Sequence, residues 1–467
     1  MIAHNEKKID YPITSGALVI KENAFNSGRY WVQDLLSHKS GFANEDLVDL
    51  LLLCNGTRDS QEIVAELVKL YNESERKISM KTKEALEDLK QLGYVSFVDK
   101  PTFRPIIFHG KCLQWSLDTV YLEVTDLCNL SCSYCYAKPD SKVKRKLNTE
   151  DIFGVIDELA SIGVLKIIFT GGEALLHKDI FKILGYTKSK KIDFSLFTNG
   201  TLLNRNTVKK LKALNPESIA ISVDSNRAEI HDMNRGAACF SRTLKGIRLL
   251  HREKIPIRIN STILKGVNDK TEDIEGAIRF FMRKGASRIV MGPIMAYGKG
   301  VESEDLILPL NKSAEIAAIF KKHMKELKSK HYEKRTPPLK LSASFRPNNG
   351  DPHSVCGVGT SACYIRSDGD VILCPVLREK KYCAGNILNK GLRKIWLNSG
   401  VFNHFRTNTV NNIAECRECA IKLKCVGGCK ARALIYNGRF DSPDLWRCSA
   451  KEGFWASHNS PENQTTP

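Results

Sequence analysis

Three cysteines fall within eight residues of a 467-residue chain, in 125-TDLCNLSCSYCYA-137: Cys128, Cys132 and Cys135. Three thiolates at this spacing can each hold one iron of a cubane cluster, and the fourth iron stays open to chelate a small molecule. A structural zinc site closes four positions, and neither a nearby histidine nor another local cysteine supplies the fourth. A second concentration lies downstream: Cys356, Cys363 and Cys374, then 416-CRECAIKLKCVGGC-429 with Cys416, Cys419, Cys425 and Cys429, then Cys448. Eight thiols divide into two fully ligated cubanes, although a Cys-x2-Cys pair alone is also how a zinc knuckle begins. Of 15 cysteines, Cys54, Cys112, Cys239 and Cys383 remain outside these groups. The opening MIAHNEKKIDYP has no apolar signal core, and no stretch reaches the ~18 apolar residues of a membrane span. The sequence therefore predicts a cytoplasmic protein with no membrane partner, in which clustered cysteines hold metal rather than disulfides.

The spacing Cys128-x3-Cys132-x2-Cys135, with Tyr134 before the last cysteine, resembles the cluster motif of the radical S-adenosylmethionine (SAM) enzymes. The resemblance implies that the methionyl group of SAM chelates the open iron and that its reductive cleavage yields a 5'-deoxyadenosyl radical, which takes a substrate hydrogen. Gly171-Gly172-Glu173 resembles the family segment that binds the methionyl amine: two glycines admit a close backbone approach and the carboxylate offers an acceptor. Thr198, Asn199, Ser222 and Asp224 close the next two strands and could hold a ribose. Asn260 and Arg235 are further candidates for ribose and carboxylate contacts, and Met291 to Tyr297 occupies the adenine position. Cys239, after HDMNRGAA, could face the cavity as a hydrogen-atom donor. Downstream, Cys356-x12-Gly369-x4-Cys374, then Cys416-x2-Cys419-x5-Cys425-x3-Cys429 and Cys448, resembles the SPASM twin-cluster domain of radical SAM enzymes that modify peptides and proteins. That resemblance assigns Cys356, Cys363, Cys374 and Cys429 to an inner auxiliary cluster and Cys416, Cys419, Cys425 and Cys448 to an outer one. With SAM, three [4Fe-4S] clusters complete the cofactor set.

Strands must position these residues. VYLEVT, LKIIFT, DFSLFT, SIAISV, IPIRINST and SRIVMGPI are apolar runs at 119–124, 165–170, 193–198, 218–223, 255–262 and 287–294. Helix-length stretches lie between them. Six such units predict an α/β partial (β/α)6 TIM-type barrel over 115–335, with functional residues at the C-terminal ends of its strands. A cysteine-rich iron–sulfur domain follows at 350–450, and 455–467 has too little apolar surface to fold. The first hundred residues read as a strand in 11–20, a polar loop, helices near 46–56, 60–70 and 82–92, and a strand at YVSFVD, a winged-helix-like domain. Its DLLLLCNGTRDSQEIVAELVKLY segment is similar to PqqD-like peptide-recognition elements beside ribosomal-peptide maturases, which take a leader peptide as an added strand.

A formal charge of +19 suits nucleic acid, an acidic peptide or an anionic cofactor equally. A winged helix can bind DNA, but an iron–sulfur regulator has no use for an open iron beside Gly172 and Glu173, so nucleic acid is disfavoured. The sequence predicts an oxidoreductase that binds a precursor peptide through residues 1–100 and modifies its core by radical chemistry. Its electrons come from a reducing partner such as flavodoxin or ferredoxin. A thioether crosslink is the narrowly preferred product; carbon–carbon crosslinking, epimerisation, and protein or tetrapyrrole maturation are the alternatives. Sulfatase maturation is disfavoured, because Pro375-Val376 follows Cys374 where that family carries an acidic residue.

Overall fold

The stretch YPITSGALVI divides at Gly16, whose φ of +141° an L side chain rarely adopts. Its halves, β1 (Tyr11–Thr14) and β2 (Leu18–Glu22), enter different sheets of the computed structural model. The structure describes residues 10–14, 16, 18–22, 29–109, 115–137, 146–329, 340–342 and 357–450. Chain contacts divide it into two units, Met1–Ser116 and Leu117–Pro467. The expected tail at 455–467 lies outside the described residues.

The first unit continues through β3 (Arg29–Asp34), β4 (Ser40–Asn44), α1 (Glu45–Leu53), α2 (Ser60–Tyr71), α3 (Glu75–Gln91), β5 (Val95–Val98) and β6 (Ile107–His109). A four-stranded sheet has the order β4-β3-β2-β6, and β1 pairs antiparallel with β5. The three helices are as the sequence predicts, with Asp59 and Glu62 closing a reciprocal cap at the start of α2. Two features differ. The supposed polar loop after β2 contains the β3–β4 hairpin, because the aromatic and branched residues of RYWVQD favour a pleated surface. Helix α3 starts at Glu75 rather than 82, because Ile78 extends its buried stripe of Thr82, Leu86 and Leu89 by a turn. Cys54 is fully buried in the core with Leu51, Ile63 and Val95, as its apolar setting suggests. β6 pairs with β2, so the unit runs past residue 100.

In the second unit, β7 (Thr119–Thr125), α4 (Thr149–Ser161), β8 (Lys166–Gly171), α5 (Ile180–Ser189), β9 (Asp193–Thr198), α6 (Arg205–Leu214), β10 (Ser218–Ser222), α7 (Ala228–Arg235), α8 (Cys239–Arg252), β11 (Ile257–Ile263), α9 (Thr271–Arg283) and β12 (Ala286–Pro293) make the partial barrel. All neighbouring pairs from β7 to β12 are parallel. One face of each strand packs under the helices, as with Val120, Ile167, Phe169, Phe194 and Leu196, all fully buried. The other face carries Tyr121, Phe197, Arg258 and Asn260; Arg258 lies 5.2 Å over the Phe197 ring and donates to Asn260 Oδ1. Helix α10 (Lys312–Ser329) and a short β13 (Lys340–Ser342), parallel to β12, follow.

The cysteine-rich region does not begin a separate sheet. β14 (Ala362–Ile365) pairs parallel with β7, and β15 (Asp370–Ile372) and β16 (Cys383–Asn386) extend it, giving ten strands in the order β13-β12-β11-β10-β9-β8-β7-β14-β15-β16. Helices α11 (Leu392–Asn398), α12 (Gly400–Thr407), α13 (Lys422–Cys425), α14 (Lys430–Asn437) and α15 (Leu445–Ser449) complete the unit.

Candidate functional site

Cys128, Cys132 and Cys135 lie in the loop that leaves the C-terminal end of β7, unpaired by disulfide and exposed to half-buried. Their thiols are electrostatic neighbours, and burial first, opposed by the Arg235 guanidinium, leaves Cys132 pushed up to about 11. The loop sits on the adjoining strand end: a Cβ on Gly171 would lie 2.2 Å from the Thr125 carbonyl oxygen, and one on Gly172 2.3 Å from that of Leu127. Only glycine permits this approach. Three neighbouring thiols and an open backbone ledge fit a cubane held by three cysteines together with its chelating ligand.

A buried ion pair fixes the loop from the other side. Arg235, at the end of α7, donates from Nε and Nη2 to both oxygens of Asp224 at 2.7 and 2.9 Å. Tyr134, inside the cysteine motif, donates its hydroxyl to the same carboxylate, which also accepts from the Thr262 amide at 3.1 Å. Burial alone would raise the Asp224 carboxyl, but Arg235, the Tyr134 hydroxyl and the Thr262 amide together outweigh it and hold the group below the usual carboxylate range. The pair that the sequence offers to ribose and carboxylate is thus committed to binding the cysteine loop to β10.

Glu173 is 1% exposed. Its Oε1 accepts from the Thr198 hydroxyl at 2.7 Å and the Leu175 amide at 3.1 Å, and its Oε2 from the Asn199 amide at 2.7 Å. Burial raises its pKa despite these donors. The carboxylate therefore ties β8 to β9, and Asn199 passes the connection to the cluster loop by donating to Asn129 Oδ1 at 2.8 Å. Ser222 ends β10 half-buried, and Asn260 receives Arg258 on the inner barrel face. Met291 alternates with Val290, the partner of Asn260, and is buried on the opposite face with Ile289; side-chain alternation keeps it out of the barrel interior, a correction to its proposed adenine contact. After β12, Lys299 donates its amide to the Cys135 carbonyl at 3.1 Å, closing the barrel onto the cluster loop.

Cys239 is closed off from solvent at the start of α8. It is 0% exposed, its Sγ lies 3.3 Å from Asp232 Oδ1, and burial followed by that carboxylate pushes the thiol up to about 12. Asp232 also accepts the Phe240 amide at 2.7 Å, so the group serves the start of α8. This corrects the expected hydrogen-donor role, which needs an accessible sulfur. Cys383 is half-buried, its thiol 3.3 Å from the Gly385 carbonyl. Cys112 and Cys356 lie outside the described residues.

In the downstream region, Cys419, Cys425 and Cys448 all act on the buried Cys416 thiol, which burial first and these neighbours next push up to about 12. Four neighbouring thiols match the ligand count of one fully ligated cubane. Gly427 and Gly428 both have positive φ, and a Cβ on Gly428 would lie 2.4 Å from Asp444 Cβ. Asp444 accepts the Cys429 amide at 2.9 Å and is gripped by Arg432. Cys374 neighbours Tyr297, whose hydroxyl accepts from the Arg378 amide; α14, capped by Cys429, leads to Tyr436, which bonds the Ala296 backbone. Cys363, by contrast, is 1% exposed on β14 beside Arg406.

Sequence reasoning missed a second buried ion pair. Glu123 of β7 accepts from Arg378 at 2.7 and 3.0 Å and from the Tyr364 hydroxyl at 2.7 Å, linking barrel and cysteine region. The signal was a carboxylate inside an apolar strand, VYLEVT, since a buried charge needs a partner.

The Radical SAM superfamily profile matches residues 122–281, and the iron-sulfur cluster-binding domain SPASM matches 356–420. An AdoMet-dependent heme synthase of Methanosarcina barkeri is 31% identical over 334 residues, 68% of this chain and 92% of that protein. The chain belongs to the radical SAM superfamily. Iron–sulfur clusters and SAM are accordingly the cofactors of this radical SAM enzyme. The mycofactocin maturase MftC of Mycolicibacterium smegmatis is 25% identical over 336 residues, 71% of this chain and 81% of that protein. In fold, the chain resembles Streptococcus suis SuiB bound to precursor peptide SuiA, with a TM-score of 0.63 at 15% identity over 93% of this chain and 98% of that one. No described helix is long and apolar enough to cross a membrane.

Proposed function

We propose that this radical SAM enzyme matures a peptide, binding a leader segment on its first unit and oxidising the core in its barrel. The observation that carries the reading is the position of β4 at the border of its sheet. It ends its sheet with no described strand beyond it, and beside its end lies a cavity of about 430 Å3 lined by Asn44, Leu47, Leu50, Tyr71, Ile78 and Ala85. A strand edge offers main-chain hydrogen bonds to an extended peptide, and an apolar groove next to it takes alternate side chains. The likeness to SuiB supports this, because 93% coverage cannot be reached without much of the first unit.

Cys128, Cys132 and Cys135 would hold the open cluster, which with SAM would supply a 5'-deoxyadenosyl radical for hydrogen abstraction from the substrate. The Asp224–Arg235–Tyr134 contacts hold the cysteine loop, Glu173 aligns the ends of β8 and β9, and Gly171-Gly172 leaves room for the ligand's approach. Two auxiliary clusters, which with the SAM-binding cluster make three, would be held by the downstream cysteines and would supply an acceptor for the one electron released when a peptide sulfur bonds to the carbon radical and its thiol proton passes to solvent. The preferred product is this thioether.

Tetrapyrrole maturation is the second reading, favoured by the 31% identity to a heme synthase. That protein is matched over 92% of its length by 68% of this chain, leaving it little room for a unit of 116 residues like the first one here. Mass spectrometry of a candidate precursor separates the outcomes. A thioether removes about 2 Da and one alkylatable cysteine; a 2 Da loss with every cysteine still alkylatable means another crosslink. A mass unchanged in ordinary water and about 1 Da higher in deuterated water means epimerisation. Formation of heme from a tetrapyrrole precursor with no peptide turnover would overturn the peptide reading.

A further inference from the structure

Two arginines stand side by side inside the barrel. Cα registers run from Phe197 of β9 to Ala220 of β10, Arg258 of β11 and Arg288 of β12, one level across neighbouring parallel strands. Residues at one level leave the sheet on the same face, and their sequence neighbours leave on the other. For this level the face is the barrel interior: Ile257, Ile259 and Ile289, which flank the two arginines, are buried on the helix side, whereas Arg258 and Arg288 are half-buried. Arg258 lies 5.2 Å over the Phe197 ring, a reach across β10 that the small side chain of Ala220 leaves open.

The level has a defined depth. Asn260, whose Oδ1 accepts from Arg258 Nε at 2.8 Å, and Ser222, its Cα partner, stand one step of the pleat, about 6.6 Å, nearer the C-terminal ends of the strands. The cysteine loop leaves β7 at that same end of the barrel. The arginines thus form a floor beneath the cofactor end. Like charges set opposite one another on neighbouring strands repel, and stacking on Phe197 offsets that only for Arg258. An anion lying between them turns the repulsion into attraction. A carboxylate suits the position best, because its two oxygens match the planar donor fork of a guanidinium. On β7 the Glu123 carboxylate already holds Arg378 and Tyr364.

We propose that Arg258 and Arg288 bind a carboxylate of the peptide core, either an acidic side chain or the terminal carboxylate, and so set which residue of the core is presented for hydrogen abstraction. The inference rests on the peptide reading above and deepens it: the enzyme selects precursors that carry an acidic group at a fixed spacing from the modified residue.

A candidate precursor tests it, compared with forms in which each Asp and Glu is replaced in turn by its amide and with a form ending in a carboxamide. On one of these changes the wild-type enzyme should lose about 10-fold or more in kcat/KM, the cost of leaving a charge partner unmatched. Arg258→Met and Arg288→Met should act more slowly on the parent peptide yet treat it and that amide alike, within about 2-fold, as coupled partners do in a double-mutant cycle. Arg288→Lys, which keeps the charge, should retain part of the preference. Each variant is compared with itself on two peptides, so damage to the fold or to SAM binding cancels from the ratio, and the same ratio read as Kd by calorimetry covers a variant that has lost turnover. A wild-type enzyme that turns over the precursor but discriminates against none of these forms would overturn the proposal and leave the peptide reading standing. So would a preference that survives undiminished in both methionine variants. A wild-type enzyme that turns over no peptide would reject the peptide reading itself, and the proposal with it.

Discussion

Asp224 answers to three elements at once: Arg235 at the end of α7, Tyr134 in the cysteine loop and the Thr262 amide of β11. Removing the guanidinium leaves a buried carboxylate without its countercharge, which costs about 3–5 kcal/mol. Arg235→Met should therefore lower the thermal midpoint and the iron retained after reconstitution. Adding Asp224→Asn to that variant should recover more than half of the loss, since the stranded charge is gone. A midpoint unchanged in Arg235→Met would show that the pair does not organise the loop. The sequence offered Asp224 and Arg235 as ligand contacts because motif position names a residue without saying which partner reaches it first. Cys128, Cys132 and Cys135 were legible because spacing alone makes them neighbours. Cys239 reads in sequence as a cavity thiol and is buried against Asp232 in the fold, since burial is a property of the packed chain.

Among the elements, the six parallel strands were the most legible, because strands covered on one face by helices and filled on the other read as unbroken apolar runs. The β3–β4 hairpin was not, because the preceding residues are polar and its RYWVQD run is short. That hairpin matters most for substrate choice, for it ends in β4 at the border of its sheet. If a leader peptide lies along that edge, the groove beside α3 must accept its side chains. Ala85 lines that groove half-buried, so Ala85→Trp fills it without unpacking the core. The variant should bind a precursor at least 10-fold more weakly while cleaving SAM without peptide at the wild-type rate. Equal peptide affinity by calorimetry would remove the groove from the binding surface, and lost SAM cleavage would point to a fold defect instead.

For the whole molecule, the sequence suggested a barrel followed by a separable cysteine domain, whereas β14 to β16 continue the barrel's own sheet. Nothing in a strand of four residues announces a partner more than two hundred positions away. Glu123 receives Arg378 and Tyr364 across that join, so the barrel without its C-terminal region keeps a buried carboxylate unpaired and a strand edge open. A chain ending after residue 342 should accordingly be recovered as aggregate, although it contains all six barrel strands. A monodisperse product in size-exclusion chromatography would mean that the barrel is self-sufficient.

The same join sets a clock on biosynthesis. Glu123 and Tyr364 stand 241 residues apart. A ribosome adding about 5–20 residues per second therefore leaves β7 without its outer neighbour for roughly 12–50 s. Through that interval the nascent chain exposes the strand end from which the cysteine loop departs, and iron delivery competes with misfolding. Slower growth at low temperature lengthens the wait but weakens hydrophobic association, so the yield of holoenzyme becomes a contest between two rates rather than a matter of final stability.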